Sequence, residues 1–199
     1  DGNQKLIWSV QHIILDMANS GVTLLTEVFE LYDSIIKGQK LVLDTVKPYD
    51  KVLEDIDHHQ KTSNEYWEKL FVGFSEMTTR PLDDGRDEQS LVQTSYNFSI
   101  STEIYQKCVA EAEKHRFSIN TFVQAAWGLL LKGYSGENDI VFGSVRGYPK
   151  EIVGNSVGLF LNTLPIRLKF SPKMSVLEYL KAVRQQQDGI REHVTTPLY

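Results

Sequence analysis

The run VGLFLNTLPIRLKF, residues 157–170, decides the fold that we expect of this chain. Its nearly continuous apolar side chains are typical of a strand. A second strand-like run, residues 139–144, comes before it, and segments with helical patterns precede and follow the pair. Strands that alternate with helices indicate an α/β layered domain.

Helical periodicity and capping residues predict the helices. The last helix begins with a capping box from Ser175 to Glu178 and places Leu180, Val183 and Ile190 on one side. An earlier helix has Ser20 as its N-cap and stops at Gly38. The remaining helical patterns cover Pro48 to Phe71, as two helices or one kinked helix, residues 101–115 and residues 118–132.

Two other segments read as strands, and one as a loop. Residues 5–15 mix β-branched, aromatic and apolar types, which predicts a strand buried on both faces that ends at Asp16. Residues 94–100 predict a further strand. Residues 73–93 hold an acidic cluster and little periodicity, so we expect a long, mobile surface loop.

Composition narrows the classes of function. The chain has 199 residues, 21 basic against 26 acidic, with a net charge of −5 and no basic stripe, which argues against a nucleic-acid partner. No apolar run approaches the roughly 20 residues of a membrane-spanning helix, so we expect no membrane role. The single cysteine, Cys108, indicates a reducing compartment, and we predict a cytoplasmic location. A start without methionine suggests a segment of a longer protein.

His12 is the first candidate for chemistry. It lies near the exit of the predicted first strand, with Asp16 four residues later, where the chain turns into a helix. A neutral imidazole there can act as a general base, because its unperturbed pKa lies near neutral pH. The pattern alone leaves the alternative open, and favours it: a hydrogen-bonded core histidine.

Two other patterns do not carry the chemistry that they suggest. Asp57, His58 and His59 resemble a metal cluster, but adjacent helical residues point about 100° apart and do not readily chelate one ion. The turn Gly143–Gly147 lacks both the dinucleotide fingerprint and the P-loop lysine. We therefore predict neither a metal nor a nucleotide.

Five segments, in this order, resemble the condensation domain of nonribosomal peptide synthetases, a relative of the chloramphenicol acetyltransferase-like acyltransferases. The most specific is VGLFLNTLPIR, residues 157–167, which is similar to the family pattern VGxFxNTLPxR. The others are QHIILDM at 11–17 for HHxxxDG, YWEKL at 66–70 for YWxxxL, DIVFG at 139–143 for the strand before the latch, and HVTTPL at 193–198 for an HxxxPF-like motif.

The resemblance implies an α/β sandwich of the chloramphenicol acetyltransferase type, with a mixed sheet and packed helices. That domain has two lobes. Residues 1–38 then correspond to the end of the N-terminal lobe, which carries the HxxxD motif, and residues 39–199 to most of the C-terminal lobe. The resemblance therefore also implies that much of the first lobe lies outside this sequence.

The resemblance also assigns roles to residues. His12 matches the catalytic histidine, and Asp16 matches a structural aspartate that pairs with an arginine, which we expect in the missing lobe. Asn162 matches an asparagine that faces the active-site channel, and Trp67 matches a tryptophan packed near it. We predict that the ring of His12, at the end of its strand, faces a channel shared with Asn162.

Three positions depart from the family pattern. Gln11 replaces the first histidine of the motif, Met17 replaces its glycine, and residues 146–148 read Arg-Gly-Tyr where the family often reads SGR. Glycine leaves space beside a substrate thioester, which a methionine side chain occupies unless it points away. These departures leave catalytic competence open.

The implied reaction is the formation of an amide bond between two tethered substrates. An aminoacyl or peptidyl thioester on a donor peptidyl carrier protein is attacked by the amine of an aminoacyl thioester on an acceptor carrier protein. Both substrates ride on 4'-phosphopantetheine arms, no intrinsic cofactor is expected, and adenylation and carrier domains are the expected neighbours in a longer chain. The alternatives are a catalytically silent recruitment or scaffold domain and a stand-alone acyltransferase.

Overall fold

A computed structural model describes residues 5–60, 63–75 and 95–197 of the chain. Helices predominate over strands in these ranges, as the sequence predicts. A short π-helix at Met17–Gly21 leads into the first α-helix. The elements in chain order are α1 Val22–Ile36, α2 Tyr49–Gln60, α3 Asn64–Phe71, α4 Thr102–His115, α5 Ile119–Ser135, β1 Asp139–Gly147, α6 Lys150–Val153, β2 Leu161–Lys169 and α7 Val176–Glu192.

Strands β1 and β2 are hydrogen-bonded neighbours in a two-stranded sheet. The Tyr148 amide donates to the Phe160 carbonyl at 2.9 Å, and the Phe170 amide donates to the Asn138 carbonyl at 2.8 Å. Between these two bonds one residue number rises by ten while the other falls by ten, so the strands run antiparallel. This register puts residue 146 directly opposite residue 162.

The chain divides into two compact units. The first comprises Asp1–Tyr66, Val145–Leu164 and His193–Tyr199, and the second comprises Trp67–Ser144 and Pro165–Glu192. Each strand therefore contributes residues to both units. The predicted lobe boundary at residue 38 concerns the whole family domain and stays a prediction.

The core of the first unit forms where α2 and α6 meet the segment before β2. Val52, Ile152, Val153 and Phe160 are buried together there. The ring of Tyr49 lies 5.8 Å from that of Phe160, centroid to centroid. Aliphatic and aromatic side chains thus fix the segment that leads into β2.

The core of the second unit lies between α5 and α7. A Cβ atom added at Gly128 would lie 2.5 Å from Leu168 Cδ1 and 2.6 Å from the Tyr179 hydroxyl, so only glycine allows this close approach. The Tyr179 hydroxyl donates to the Ala125 carbonyl at 2.9 Å. Burial raises the pKa of Tyr179 to about 12, so the phenol stays neutral and keeps its proton for that bond.

A chain of buried polar side chains also joins these helices to β1. Thr121 donates to Gln187 Oε1 at 2.8 Å, Gln187 donates to Gln124 Oε1 at 2.7 Å, and Gln124 donates to Ser144 Oγ at 3.0 Å. Each of these side chains is bonded to the next, so the network lies inside the unit with its members paired, as buried polar groups generally are.

Arg167 on β2 is the most enclosed charge of the second unit, with a side chain 2% exposed. Its Nε and Nη2 donate to the two carboxylate oxygens of Asp139 at 2.8 and 2.5 Å. Its Nη1 donates to the Leu70 and Val72 carbonyls, at the end of α3. Hydrogen bonds from Arg167 lower the pKa of Asp139 more than burial raises it, so the pair stays ionised.

Several of the predicted elements are confirmed. The helices at Pro48 to Phe71 form two helices, α2 and α3, and the predictions for 101–115 and 118–132 match α4 and α5. The capping box of α7 is present, with Ser175 Oγ and Glu178 exchanging bonds across the first turn. In these segments local capping and periodicity agree with the packing.

Two predicted strands are wrong. Residues 5–11 form no strand, and their apolar side chains lie in solvent, with Leu6 70% and Ile7 89% exposed. Residues 95–100 also lack secondary structure and are exposed. A strand needs a neighbour for its backbone groups, and no described strand pairs with either segment.

Two further expectations meet the structure differently. The N-cap of the helical segment that leads into α1 is Asp16, not Ser20, because the π-helix begins first. The predicted mobile loop lies mostly at residues 76–93, outside the described residues. No helix in the described part of the chain has the length and apolar character needed to cross a membrane.

The Arg167–Asp139 pair gives the first prediction. We expect Arg167→Met to lower the free energy of unfolding by roughly 3 kcal/mol, because the substitution leaves a carboxylate and two carbonyls without their donor. The exposed pair Arg184–Asp188 on α7 provides the control, and Arg184→Met should cost no more than about 0.5 kcal/mol. Urea denaturation measures both, and equal losses would contradict the prediction.

Candidate active site

Asp16 is a fully buried carboxylate at the start of the π-helix. Its Oδ1 accepts from the backbone amides of Asn19 at 2.8 Å and Ser20 at 3.3 Å, which caps the π-helix. Its Oδ2 accepts from the amide of Phe160 at 3.1 Å. One carboxylate therefore binds two segments that are far apart in the sequence.

Ser20 strengthens the same connection. Its hydroxyl lies 2.7 Å from the Gly158 carbonyl, to which it donates, and accepts from the Gly158 amide at 3.0 Å. The backbone amide of Asp16 also donates to the Gly158 carbonyl, at 3.1 Å. The motif at 11–17 is thus fixed to the segment at 157–160 by side-chain and backbone bonds together.

The pKa of Asp16 follows from this environment. Burial alone would raise it, but the amides of Asn19, Phe160 and Ser20 together lower it below its ordinary value. The group is therefore an ionised structural anion at neutral pH. Within the described ranges its partners are backbone amides and Ser20; the arginine that the resemblance implies stays a prediction.

His12 lies in a turn over residues 12–14 and is exposed. The prediction that it ends a strand is wrong, because Ile14 N donates back to Gln11 O at 3.2 Å and closes a turn instead. The alternative of a buried core histidine is also wrong. Leu15 and Asp16 enter the core while the ring of His12 stays in solvent.

Two motif departures flank this turn. Gln11 is exposed, like His12. Met17 is 48% exposed, and its Sδ and Cε lie 2.9 Å from the position that a Cβ atom on Gly21 would occupy. The methionine side chain therefore folds over the following turn of its own helix, where the absence of a side chain at Gly21 makes room for it.

Asn162 holds the end of the chain against β2. It is 9% exposed, and its Nδ2 donates to the carbonyls of Val194 and Thr196 at 2.8 and 2.5 Å. The ring of His193, in the same turn, stacks on Tyr66 at 4.2 Å, and its Nδ1 lies 3.1 Å from Ser63 Oγ. The resembled motifs at 66, 162 and 193–196 thus meet in the first unit.

The remaining assignments stay predictions. Trp67 is partly buried on α3 and belongs to the second unit. The shared channel between His12 and Asn162, and the roles assigned to both, rest on the resemblance. Sequence reasoning took Ser20 for a helix cap and missed its bonds to Gly158; the spacing of four residues from Asp16 is the signal that places both on one helical face.

Comparison with known proteins identifies the class. A family model for the condensation domain matches residues 1–199. One protein of the linear gramicidin synthase of Brevibacillus parabrevis is 36% identical over 201 residues, which cover 96% of this chain and 4% of that protein. One protein of the mycosubtilin synthase of Bacillus subtilis is 34% identical over 207 residues, covering 98% of this chain and 8% of that protein.

The fold agrees with this. The crystal structure of the first condensation domain of the CDA synthetase superposes with a TM-score of 0.73 at 19% identity, over 94% of this chain and 43% of that chain. The chain therefore belongs to the condensation domain family, and the resemblance and the predicted fold class are confirmed. It spans a small fraction of its curated relatives and less than half of that crystal structure.

The bonds of Asp16 give the second prediction. We expect Asp16→Asn to lower the free energy of unfolding by about 2 kcal/mol at pH 7, because an amide nitrogen then faces backbone donors. The folded pKa of Asp16 is depressed, so its contribution is present above the unfolded value of about 3.9 and is lost as the pH falls through the folded value.

Unfolding by urea at pH 7 and near about pH 3 measures this dependence. The gap between the parent and Asp16→Asn should narrow in acid. Asp33→Asn, at an exposed carboxylate on α1, is the matched control and should change stability little at either pH. A gap that stays constant between the two pH values would contradict the assigned role of the charge.

Proposed function

We propose that this chain is part of a condensing enzyme that joins aminoacyl or peptidyl thioesters in nonribosomal peptide synthesis. The observation that supports this most directly is the bonding of Asp16 and Ser20 to Gly158 and Phe160. These bonds hold the HxxxD motif against the most specific segment of the family pattern. His12 is left exposed in the adjoining turn.

The proposed chemistry is an acyl transfer from sulfur to nitrogen. The amine of the acceptor attacks the donor carbonyl, a C–N bond forms, and the C–S bond breaks. The nitrogen loses a proton, which His12 accepts, and the departing thiolate takes a proton. Holding two tethered reactants in line supplies up to about 7–11 kcal/mol of the barrier, whereas a general base adds about 10²–10⁴-fold, so positioning is the larger contribution.

The proposal includes partners of defined chemistry. The curated relatives belong to peptide synthases, and this chain matches a small share of each. We infer that donor and acceptor peptidyl carrier proteins present the substrates on 4'-phosphopantetheine arms, with adenylation and carrier domains as neighbours in a longer chain. The domain needs no intrinsic cofactor in this scheme, and the reaction takes place in the cytoplasm.

A second candidate function is a catalytically silent domain that recruits or holds a partner. Its support is specific: Gln11 stands in place of the first motif histidine, and the partly exposed Met17 stands in place of the motif glycine. A silent domain keeps the structural aspartate and loses the chemistry. Measurements on the complete protein distinguish the two functions.

The third prediction tests the base. In an active enzyme, His12→Ala should slow amide formation by about 10²-fold or more and leave carrier binding unchanged. Single-turnover assays with loaded donor and acceptor carriers measure the rate. His58→Ala, at an exposed histidine on α2, is the matched control and should leave the rate unchanged. Full activity in His12→Ala would refute the base role, and a parent without product would favour the silent domain.

The fourth prediction concerns Met17. If the domain condenses substrates, Met17→Gly should preserve or raise the single-turnover rate, because the substitution restores the space that the family glycine leaves. Met17→Ala, which shortens the side chain and keeps more helix propensity, should lie between the parent and Met17→Gly. A large loss of rate in both variants, with folding intact, would show that this chain uses the methionine side chain.

A further inference from the structure

Arg146 on β1 holds a charge that the described protein does not neutralise. The residue is half-buried, and its Nε and Nη2 are both enclosed without a hydrogen-bond acceptor among the described residues. No carboxylate in these ranges forms an ion pair with it, unlike Arg167. Buried polar groups in native proteins are nearly always paired, so this pair of donors needs an explanation.

Arg167 shows what these two atoms do when they are satisfied. Its own Nε and Nη2 form a fork that donates to both oxygens of the Asp139 carboxylate. The bonds from Asp139 raise the pKa of Arg167, whereas burial lowers the pKa of Arg146. The fork of Arg146 therefore has the geometry for two oxygens of one oxyanion, a carboxylate or a phosphate.

The described surroundings of Arg146 supply no such oxyanion. The antiparallel register puts Arg146 opposite Asn162, whose amide donates to the carbonyls of Val194 and Thr196. Asp16, the buried carboxylate of the same unit, has its oxygens bonded to the amides of its own helix and of Phe160. A carboxylate with these partners is not available to a second cation.

We propose that Arg146 binds the phosphate of a phosphopantetheine arm. This rests on the proposed function, in which that phosphate is the one anion common to the donor and acceptor substrates, since their carboxylates are held as thioesters. A phosphodiester offers two unesterified oxygens to the Nε and Nη2 fork. Arg146 then acts as a positioning residue for the arm.

The test uses four probes and the complete protein with its carriers unmodified: phosphopantetheine, pantetheine without the phosphate, inorganic phosphate and acetate. We expect phosphopantetheine to bind at least about tenfold more tightly than pantetheine, and inorganic phosphate to compete. Arg146→Gln should abolish this preference, and Arg146→Lys, which keeps the charge and loses the fork, should retain part of it. Arg184→Gln, at the partly exposed arginine of α7, should retain all of it. Titration calorimetry measures each.

Thermal unfolding separates binding from a structural role. Because Arg146 has no acceptor in the described protein, Arg146→Gln should leave the Tm unchanged or higher, whereas Arg167→Met should lower it. An unchanged preference in Arg146→Gln would overturn the proposal, as would a lowered Tm with that preference intact. Stronger competition by acetate than by phosphate would overturn the assignment to phosphate. If Arg146→Gln does not fold, Arg146→Lys decides the preference.

Parallel single-turnover condensation separates this inference from the proposed function. Amide formation by the parent without a preference for phosphopantetheine would overturn the role of Arg146 and leave the proposed function standing. A preference without amide formation would support the phosphate site and count against the condensing enzyme. Loss of both would overturn both.

Discussion

The position of the motif depends on a buried negative charge that is neutralised by backbone amides. The carboxylate of Asp16 accepts bonds from the amides of Asn19, Ser20 and Phe160, and this joins the start of the helical segment to the approach of β2. Such a group costs a great deal of free energy when its donors are lost. The two segments can therefore move apart only if the charge is hydrated or protonated, which makes their relative position a consequence of electrostatics more than of apolar packing.

The second unit uses the same physics with the opposite sign. Arg167 is almost fully enclosed, and every contact described for it is an oxygen acceptor or an aromatic ring: a carboxylate, two carbonyls, and the rings of Phe71 and Phe74. In this unit the buried cation fixes the end of α3 to β2. A buried pair of this kind does not add much net stability over an apolar replacement, but it penalises every arrangement that separates its members. Specific placement is what both charges provide.

The parts of the fold that local sequence could predict are those stabilised locally. Helices α4, α5 and α7 carry their own capping residues and periodicity, and Ser175 with Glu178 closes the first turn of α7 without help from the rest of the chain. The segments 5–15 and 94–100 have the composition of strands, but a strand is completed only by a neighbour, which composition does not specify. The bonds of Ser20 to Gly158 were hidden for the same reason, since 138 residues separate the two.

The arrangement around His12 separates the tasks within one short motif. Asp16 is buried, ionised and committed to amides, so it positions the chain and takes no proton in the neutral range. His12, four residues earlier, lies exposed in a turn, where its ring can meet a substrate or the rest of a longer protein. Gln11 and Met17 lie beside these two residues, and the bonds of Asp16 are made with both departures in place. The scaffold of the motif thus survives changes that alter its chemistry, which is why the fold and the catalytic competence of this chain have to be decided by different measurements.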